Sequence, residues 1–561
     1  MKQELTQAIE LATKDLFGVA VKVELTRPDS RFGDYATNVA LALANKLGQN
    51  PQQVAETLAA RLKVNLAAKL ADIQVAPPGF LNLRLKDEVL AQMLELKPTK
   101  SLTGQTVLAE YSDPNPFKPL HAGHLYTTLV GDTIARLVEQ AGAKTIRINY
   151  SGDVGLHVAK SLWAIIKHLG GELPDKLSEV PVKERPEWLG ERYVEGHAAY
   201  TDDPTAKAEI VNINKQVYQL QAKNDHTSAL AQLYFTCRDW SYDYFKDFYK
   251  QLEVTPFDRY IPESEVTPVG VLAVEAGLAK GIYEKSQGAV VFNGERFGLH
   301  TRVFITAEGL PTYETKDVGL SLTKWQDYHF DRSIIITANE QAQYMAVVIA
   351  SLKQFAPQPA ERTKHLTHGV IKLKSGVRMK SREGNVVTAM QVLESARAAG
   401  KASGLNINES TVLAAVKYAF AKSRIGADII YDPEESIALE GNSGPYLQYA
   451  HARARSILAK IAGSDGGKDQ AELTKLEPAE RALLLKITQY PEVVDYALSE
   501  LMPHHICTYL YELAQSFNAF YEGNRVIGDA RQAIRLKLVE AYAQVLQGGL
   551  ELLGIEAPER L

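Results

Sequence analysis

"QTVLAEYSDPNPFKPLHAGHLYTTLVGDTIARLVEQAGAKTIRINY", residues 105–150, changes its hydrophobic pattern repeatedly along its length. Residues 105–112 are typical of a buried strand, and residues 113–120 of a proline-rich loop. Apolar residues then recur every three or four positions, which predicts a helix over residues 121–141, and a second strand follows over residues 144–150. This order predicts a βαβ unit, and therefore a parallel sheet with a right-handed crossover.

The same criteria divide the whole chain into regions. We predict a small α/β module at 1–86, a helical connector at 87–101, a Rossmann-like α/β domain at 102–404 and an all-α bundle at 405–561. Inside the third region we expect a helical insertion at about residues 165–290. Strand patterns return at "AVVFN", "TRVFIT" and "RSIIITA", which we expect to complete the sheet domain.

The composition is that of an ordinary globular protein, with 45% apolar and 23% charged residues among 561. No apolar run is long enough for a membrane span, and the opening residues lack the apolar core of a signal peptide. Cys237 and Cys507 are far apart and no metal-binding motif occurs, so we expect a cytoplasmic protein without a structural metal. The net charge of −5 argues against a general nucleic-acid coat but leaves open one basic RNA-binding face.

Two histidines, a lysine and a glycine lie where the predicted loop becomes the predicted helix. His121 and His124 project to one side of the first turn, Lys118 adds a positive charge, and Gly123 leaves room for a flat group. Ligands of open α/β sheets bind at this position, and a helix N-terminus favours an anion. The pattern therefore suits a triphosphate undergoing nucleotidyl transfer, with donors aimed where negative charge develops. The alternative is a pair of surface histidines beside a helix cap.

A second basic stretch supports the same chemistry. "SGVRMKSREGNVVT", residues 375–388, places Arg378, Lys380 and Arg382 around Ser381 in a loop bounded by glycines, although a solvated charged turn is the alternative. No Walker A motif occurs, and no G-x-G-x-x-G follows the first strand of the sheet domain. A dinucleotide-dependent dehydrogenase is therefore poorly supported.

These residues carry a resemblance to a known family. H-A-G-H resembles the HIGH signature of class I aminoacyl-tRNA synthetases, and "RMKSREGN" resembles a degenerate KMSKS loop. From "FGDYATNVAL" to its last residue, the chain is similar to the arginyl-tRNA synthetase family. The motifs that carry this similarity are "YSDPNPFKPLHAGHLYTTLVGD", "INYSGDVG", "YETKDVG", "NSGPYLQYAHARA" and "APERL".

The resemblance implies a HIGH-type nucleotidyl transferase domain between an N-terminal tRNA-contacting domain and an anticodon-binding bundle. It implies that His121 and His124 hold ATP phosphates as catalytic residues while an aminoacyl-adenylate forms. Many members lack the second KMSKS lysine, whose position here is Ser381, and a lysine upstream of HIGH, here Lys118, is thought to compensate. The implied ATP-binding residues are Gly123, Arg378, Met379, Lys380 and Ser381, with Mg²⁺ bound through the phosphates.

The arginine pocket of the family carries over motif by motif. Glu263 and Asp317 are the implied carboxylates for the guanidinium, which two-pronged hydrogen bonds recognise best. Asn115 would contact the α-amino or carboxylate end of the substrate. Tyr313 and Gln341 would line the pocket. A lysine substrate could not satisfy such a fork, so the pocket could discriminate without editing.

Two residues depart from the family pattern. Asp113 replaces a small residue, and its carboxylate would be unfavourable near phosphates unless it points away, while Leu561 replaces the usual terminal methionine. RNA contacts are implied in the N-terminal module and, where an ordinary amphipathic helix is the alternative, in the bundle. The candidates are Phe32, Tyr35, Asn38, Tyr446, Arg453 and Arg455.

The favoured hypothesis is ATP-dependent attachment of L-arginine to tRNA(Arg) through arginyl-adenylate. The resemblance further implies that activation needs tRNA and that the protein is a monomer without a membrane partner. One alternative is a HIGH-type nucleotidyltransferase or ligase acting on a small molecule without RNA, which the helical bundle argues against. The other is a non-catalytic RNA-binding protein, which the intact Lys118, His121 and His124 argue against.

Overall fold

The structure, a computed structural model, describes residues 1–374, 387–404, 407–461, 473 and 475–560. Its N-terminal module is a three-stranded antiparallel sheet, ordered β1-β3-β2, covered by helices whose apolar faces pack on it. The elements are α1 Lys2–Phe17, β1 Tyr35–Thr37, α2 Val39–Leu47, α3 Pro51–Asn65, β2 Leu70–Ala76 and β3 Phe80–Leu85, followed by the connector helix α4 Asp87–Gln92.

The middle of the chain contains the predicted parallel sheet. Its first elements are β4 Thr106–Glu110, α5 Ala122–Gln140, β5 Lys144–Ser151, α6 Leu156–Leu169, α7 Arg185–Asp202, α8 Pro204–Lys223, α9 Ala229–Gln251, β6 Arg259–Pro262 and α10 Glu263–Ala279. Then come β7 Glu284–Ser286, β8 Ala289–Phe292, β9 Arg302–Ile305, α11 Tyr313–Tyr328, β10 Arg332–Ala338, α12 Ala342–Lys353, α13 Pro357–Arg362, β11 Thr363–His368, β12 Ile371–Leu373 and α14 Ala389–Ala402.

The central sheet has five parallel strands in the order β11-β10-β4-β5-β6, so the predicted Rossmann-like fold and βαβ unit are confirmed. β4 lies in the middle, and its carboxyl end leads directly to the histidine motif. The strands are apolar because helices cover both faces, as in β10, where Ile334, Ile335 and Ile336 are all buried.

Two expectations about this sheet are wrong. β6 lies inside the predicted insertion yet pairs with β5 at the edge of the main sheet; it has four residues and a single buried one, so it lacks an apolar run. β8 and β9, expected in the main sheet, instead form a separate antiparallel sheet with β7. Of the three strand patterns after the insertion, only β10 joins the main sheet.

The last part of the chain is mainly helical. Its elements are α15 Glu409–Ala421, β13 Ile429–Tyr431, α16 Pro433–Ile437, α17 Gly444–Ala459, α18 Pro478–Ile487, α19 Tyr490–Glu500, α20 His504–Gly523 and α21 Gln532–Leu552. β13 pairs with β12, although the predicted boundary at 404/405 separates the two strands; that boundary stays a prediction. Among the described residues, no helix is long and apolar enough to cross a membrane.

The N-terminal module packs against the helical bundle, and both contribute to one continuous hydrophobic core. Partly buried ion pairs link the module to the bundle. Arg481 of α18 binds Asp34 at 2.7 Å and Asp87 at 3.0 Å, and Glu492 of α19 binds Arg27 at 2.7 Å. The N-terminal module and the C-terminal bundle are therefore in direct contact, although the sheet domain lies between them in the sequence.

Candidate active site

α5 begins with a cap made by the two predicted histidines. His121 is the N-cap residue, and its Nδ1 accepts from the backbone N–H of Gly123 at 3.1 Å and of His124 at 3.4 Å. His124 Nδ1 accepts in return from the backbone N–H of His121 at 3.3 Å. The rings stack with their centroids 3.7 Å apart. Each Nδ1 is thus an acceptor, which leaves the proton of a neutral imidazole on Nε2.

The histidines are neutral donors rather than cations. Burial, together with Lys118 and His368, lowers the pKa of His121 to about 4. Burial, the adjacent His121 ring and the charge of Lys118 lower the pKa of His124 well below its ordinary value. At neutral pH the pair therefore presents two Nε2–H groups at the positive end of a helix, where an anion is favoured.

Lys118 supplies a positive charge on this side of the site. It is half-buried, its Nζ lies 5.4 Å from the ring centroid of Tyr193, and no carboxylate pairs with it within the described ranges. Burial lowers the pKa of its amine. Lys118 can therefore bind a phosphate without first breaking an ion pair with a carboxylate.

The end of the predicted ATP loop is attached to the histidine motif. Ala122 N–H donates to Val387 O at 2.8 Å, and Ala389 N–H donates to Leu120 O at 2.9 Å. Thr388 accordingly forms a β-bridge with His121. Arg378, Met379, Lys380 and Ser381 lie outside the described residues, as does Leu561.

Immediately after β5, Asn115 and Glu263 meet around Gly152. A side chain at Gly152 would collide with Asn115 Oδ1 and approach Glu263 Oε1 to 3.2 Å, so glycine leaves the space between these two groups open. Glu263 is buried as the first residue of α10, and its Oε2 binds Lys316 Nζ at 2.5 Å. Burial raises the pKa of Glu263, while Lys316 opposes that rise.

Asp317 lies in the first turns of α11 and accepts a short hydrogen bond from Tyr344 Oη of α12. Burial, opposed by this bond and reinforced by Glu110 and Glu263, raises the pKa of Asp317 to about 7. Tyr313 begins α11, is 50% exposed, and its ring centroid lies 4.8 Å from Lys316 Nζ. Gln341 is half-buried immediately before α12, three residues ahead of Tyr344.

Sequence reasoning missed the residues that hold this pocket. Asp153 is fully buried and accepts from Ser264 N at 2.9 Å and Tyr234 Oη at 3.0 Å, which ties the start of α10 to α9. His157 binds Gly152 O at 2.6 Å and faces Tyr313 Oη at 3.5 Å. The signal for Asp153 was the "INYSGDVG" motif, which begins inside β5 and continues past its carboxyl end, the same edge of the sheet that leads to the histidines; His157 follows two residues after the motif.

The departure at Asp113 has a structural explanation. Its Oδ1 accepts from the backbone N–H of Tyr150 at 2.8 Å, so the side chain bridges the ends of β4 and β5. Ser112 and Asp113 are both left-handed, with φ of 76° and 48°. Ser112 Oγ is fixed by Tyr249 Oη and Thr128 Oγ1, each at 2.8 Å. The Asp113 carboxylate is thus engaged by the end of the sheet.

The RNA candidates differ in accessibility. Phe32 is 54% exposed and Asn38 is exposed at the start of α2, but Tyr35 is fully buried, and its hydroxyl donates to Glu492 at 2.5 Å. A buried ring cannot stack on a base, so Tyr35 belongs to the interface between module and bundle. Its prediction as an RNA contact is wrong.

The bundle candidates share α17. Arg453 lies 4.6 Å from the ring centroid of Tyr521, Tyr446 Oη accepts from Asn518 at 2.9 Å, and Arg455 binds Glu559 at 2.7 Å. The prediction omitted Tyr449, which is 47% exposed, although it lies on the face of Tyr446 and Arg453.

The fold and the site together define a class I aminoacyl-tRNA synthetase. The middle strand of a five-stranded parallel sheet leads to a paired-histidine helix cap, and a helical bundle follows the sheet domain. The family model "tRNA synthetases class I (R), catalytic domain" matches residues 87–432. The "Arginyl tRNA synthetase N terminal domain" matches residues 1–85 and the "DALR anticodon binding domain" residues 447–561. Together these matches extend over nearly the whole chain.

Relatives and solved structures agree. The arginine–tRNA ligase of Porphyromonas gingivalis W83 is 30% identical over 100% of this chain and 99% of its own length. The arginyl-tRNA synthetase of Thermus thermophilus is 27% identical with a TM-score of 0.79, covering 100% of both chains. The Plasmodium falciparum enzyme, 20% identical with a TM-score of 0.81 over 100% of this chain and 99% of its own, shares the fold. The chain belongs to the arginyl-tRNA synthetase family, and it is an arginine–tRNA ligase that uses ATP.

Proposed function

We propose that the two sides of this site divide the reaction between them. The side with Lys118, His121 and His124 binds the ATP phosphates, and the side with Asn115 and Glu263 binds arginine, together with Asp317, Tyr313 and Gln341. The observation that carries this division is charge: one side offers donors and a cation without a carboxylate, and the other offers buried carboxylates.

In the first step, an α-carboxylate oxygen of arginine attacks the α-phosphorus of ATP. The bond from this phosphorus to the bridging oxygen breaks, and pyrophosphate leaves. The Nε2–H groups of His121 and His124, with Lys118, stabilise the charge that develops on the phosphates. Gly123 lets the nucleotide approach the helix N-terminus, and the family resemblance assigns Arg378, Met379, Lys380 and Ser381 to the same ATP site.

In the second step, a hydroxyl of the terminal ribose of tRNA(Arg) attacks the carbonyl carbon of arginyl-adenylate. The new ester bond forms as the bond to the phosphate oxygen breaks, and AMP leaves with the hydroxyl proton passing to phosphate or solvent. We further propose that the first step needs bound tRNA. Phe32 and Asn38 would contact it on the N-terminal module, and Tyr446, Arg453 and Arg455 on the bundle.

Mg²⁺ belongs to the substrate in this proposal. Within the described residues there is no group of three or more histidine, cysteine, aspartate or glutamate side chains placed to hold a metal ion. Mg²⁺ would be bound through the phosphates of ATP, whose negative charge it would shield. We also propose that the enzyme is a monomer and that it acts in the cytoplasm.

Pyrophosphate exchange with arginine, measured with and without tRNA(Arg), tests the reaction. Exchange that depends on arginine and appears only with tRNA supports both parts of the proposal. Exchange without tRNA removes the tRNA requirement alone. Exchange with a different acid and no RNA requirement would contradict the substrate assignment.

A further inference from the structure

The proposed reaction gives no role to Lys316, although this lysine lies inside the proposed arginine pocket. Its Nζ lies 2.5 Å from Glu263 Oε2 and donates to Val154 O at 3.3 Å. The same Nζ lies 4.8 Å from the ring centroid of Tyr313. The side chains of Lys316 and Glu263 are only 3% and 5% exposed, so water hardly screens this ion pair. Lys316 therefore contacts two proposed substrate-binding side chains and the backbone of the loop after β5.

The ion pair is positioned by the close crossing of α10 and α11. Glu263 is the first residue of α10, and Lys316 lies in the first turn of α11. A side-chain carbon at Gly319 would collide with Val266 O, so a glycine at this position lets the two helix backbones touch. Lys316 and Glu263 each precede this contact by three residues. The crossing thus places the lysine and the carboxylate next to each other.

Glu263 uses only one of its carboxylate oxygens to bind Lys316. The other oxygen, Oε1, lies toward Gly152, where a side-chain carbon would approach it to 3.2 Å and would collide with Asn115 Oδ1. Among the residues that the structure describes, none donates a hydrogen bond to Oε1. A buried polar atom normally has a partner. Oε1 therefore faces the open space beside Gly152 as an acceptor that a substrate donor can satisfy.

The charges of the proposed pocket match one guanidinium only when Lys316 is counted. Glu263 and Asp317 supply two carboxylates, and Lys316 supplies one cation. Burial raises the pKa of Glu263, and Lys316 opposes that rise. Without the lysine, two buried carboxylates would share one substrate cation, and protonation of one of them would be favoured. A protonated carboxyl would present an O–H donor to a guanidinium, which has donors only.

We propose that Lys316 is a positioning residue of the arginine pocket: it binds Oε2 of Glu263 and keeps this side chain ionised, so that Oε1 accepts an N–H of the guanidinium. Lys316 acts through Glu263 and does not itself bind the substrate. The proposal rests on the proposed arginine pocket. It makes the lysine a determinant of arginine affinity and not of the chemical step.

Pyrophosphate exchange by the full chain, with saturating tRNA(Arg) at pH 8, tests the proposal. The pKa of Asp317 is about 7, so its carboxyl is mostly ionised at this pH. Lys316→Met removes the charge from an unbranched side chain, and the KM for arginine should rise about 30-fold, as expected when one partner of a buried charge pair is lost. By contrast, kcat and the KM for ATP should stay within about threefold, because only binding of arginine is weakened. Lys316→Arg keeps the charge and should recover most of the loss.

A double-mutant cycle with Glu263→Gln shows whether Lys316 acts through this carboxylate. Glutamine has the shape of a protonated Glu263, and the double variant leaves no charge of this pair unpartnered. Its KM for arginine should therefore lie within about threefold of that of Glu263→Gln alone, whereas independent effects would multiply to about 10³-fold and would overturn the proposal. If Lys316→Met does not fold, Lys316→Gln, whose amide can donate to Oε2 without a charge, replaces it in the cycle.

A second buried lysine–carboxylate pair on α11 provides the matched control. Lys324 Nζ lies 2.5 Å from Glu110 Oε2, and the two side chains are 1% and 3% exposed. The other hydrogen-bond partner of Lys324 is Ser333, so this lysine contacts no proposed substrate-binding side chain. Lys324→Met should lower the Tm as Lys316→Met does, while its KM for arginine stays within about threefold of the parent value. An equal rise in KM in both variants would overturn the proposal.

Two failures are distinguishable. If Glu263→Gln raises the KM for arginine about 30-fold and Lys316→Met leaves it unchanged, the role of Lys316 is overturned while the arginine pocket stands. If Glu263→Gln also leaves the KM unchanged, Glu263 does not belong to the pocket, and the proposal fails with that assignment. A Lys316→Met variant that loses kcat but keeps its KM for arginine would show that the lysine is structural only.

Discussion

The phosphate side and the guanidinium side of this site are held in place by different means. On the phosphate side, His121 Nδ1 bonds the backbone of residues two and three positions away. On the guanidinium side, the partner of Glu263 is 53 residues away and that of Glu110 is 214 residues away. Neutral donors can thus be organised by one helix cap, whereas buried carboxylates need several elements to assemble around them. The variants below test this contrast.

The largest effect is expected on the guanidinium side. Asp317→Asn should lower kcat/KM for arginine by about 10³-fold, since truncating one partner of a buried charge pair costs about 2–5 kcal/mol. Steady-state pyrophosphate exchange with varied arginine measures it. Asp202→Asn, an exposed exchange at the end of α7, is the matched control and should have no effect. If Asp317→Asn changed only the KM for ATP, Asp317 would belong to the phosphate side of the site and not to the arginine pocket.

On the phosphate side, Lys118→Ala should lower the rate of arginine activation by about 10²-fold, comparable with removing one transition-state donor. Single-turnover adenylate formation and tRNA binding by filter retention separate the two possible causes, because tRNA affinity should hardly change. Lys144→Ala, at an exposed position in β5, controls for general charge loss. An unchanged rate would show that Lys118 does not replace a KMSKS lysine.

A smaller effect tests how closely the guanidinium side is fitted. Gly152→Ala should raise the KM for arginine by about 10-fold, because the new methyl group displaces Asn115 and approaches Glu263, and a loss of about 1.4 kcal/mol is a factor of ten. Gly523→Ala, where no atom lies within 4 Å of the new carbon, is the control. Equal KM values would mean that the substrate does not use the space beside Gly152.

The smallest effect concerns pH on the phosphate side. Since the pKa of His121 is lowered to about 4, its ring stays neutral from pH 6 to 8, and the KM for ATP should not change with its ionisation in that range. His121→Asn, which retains an N-cap acceptor, should leave the shape of the pH profile unchanged while lowering the rate. A step near pH 6.5 that disappears in His121→Asn would mean that the imidazole binds phosphate as a cation.

The same contrast explains what could be predicted from the sequence. The histidine motif, its helix and the flanking strands were predicted because a short βαβ unit carries its own periodicity and turn signals. β6 was missed because four edge residues with one buried side chain carry almost no signal. Lys316 and Asp153 were missed as pocket residues because their roles depend on partners brought together only by the fold. Tyr35 was misassigned because aromatic residues suit a protein interface as well as an RNA contact.

The pairing of Asp34 with Arg481 has a consequence for how the protein is made. Asp34 lies in the first module, and the arginine that binds it is 447 residues further along the chain. At about 5–20 residues per second, a ribosome takes roughly 20–90 s to cover that distance. Until then this carboxylate has the backbone N–H of Leu85 but not its cation, and the apolar face that the bundle later covers stays open. Synthesis therefore leaves the first module exposed until the last helices emerge.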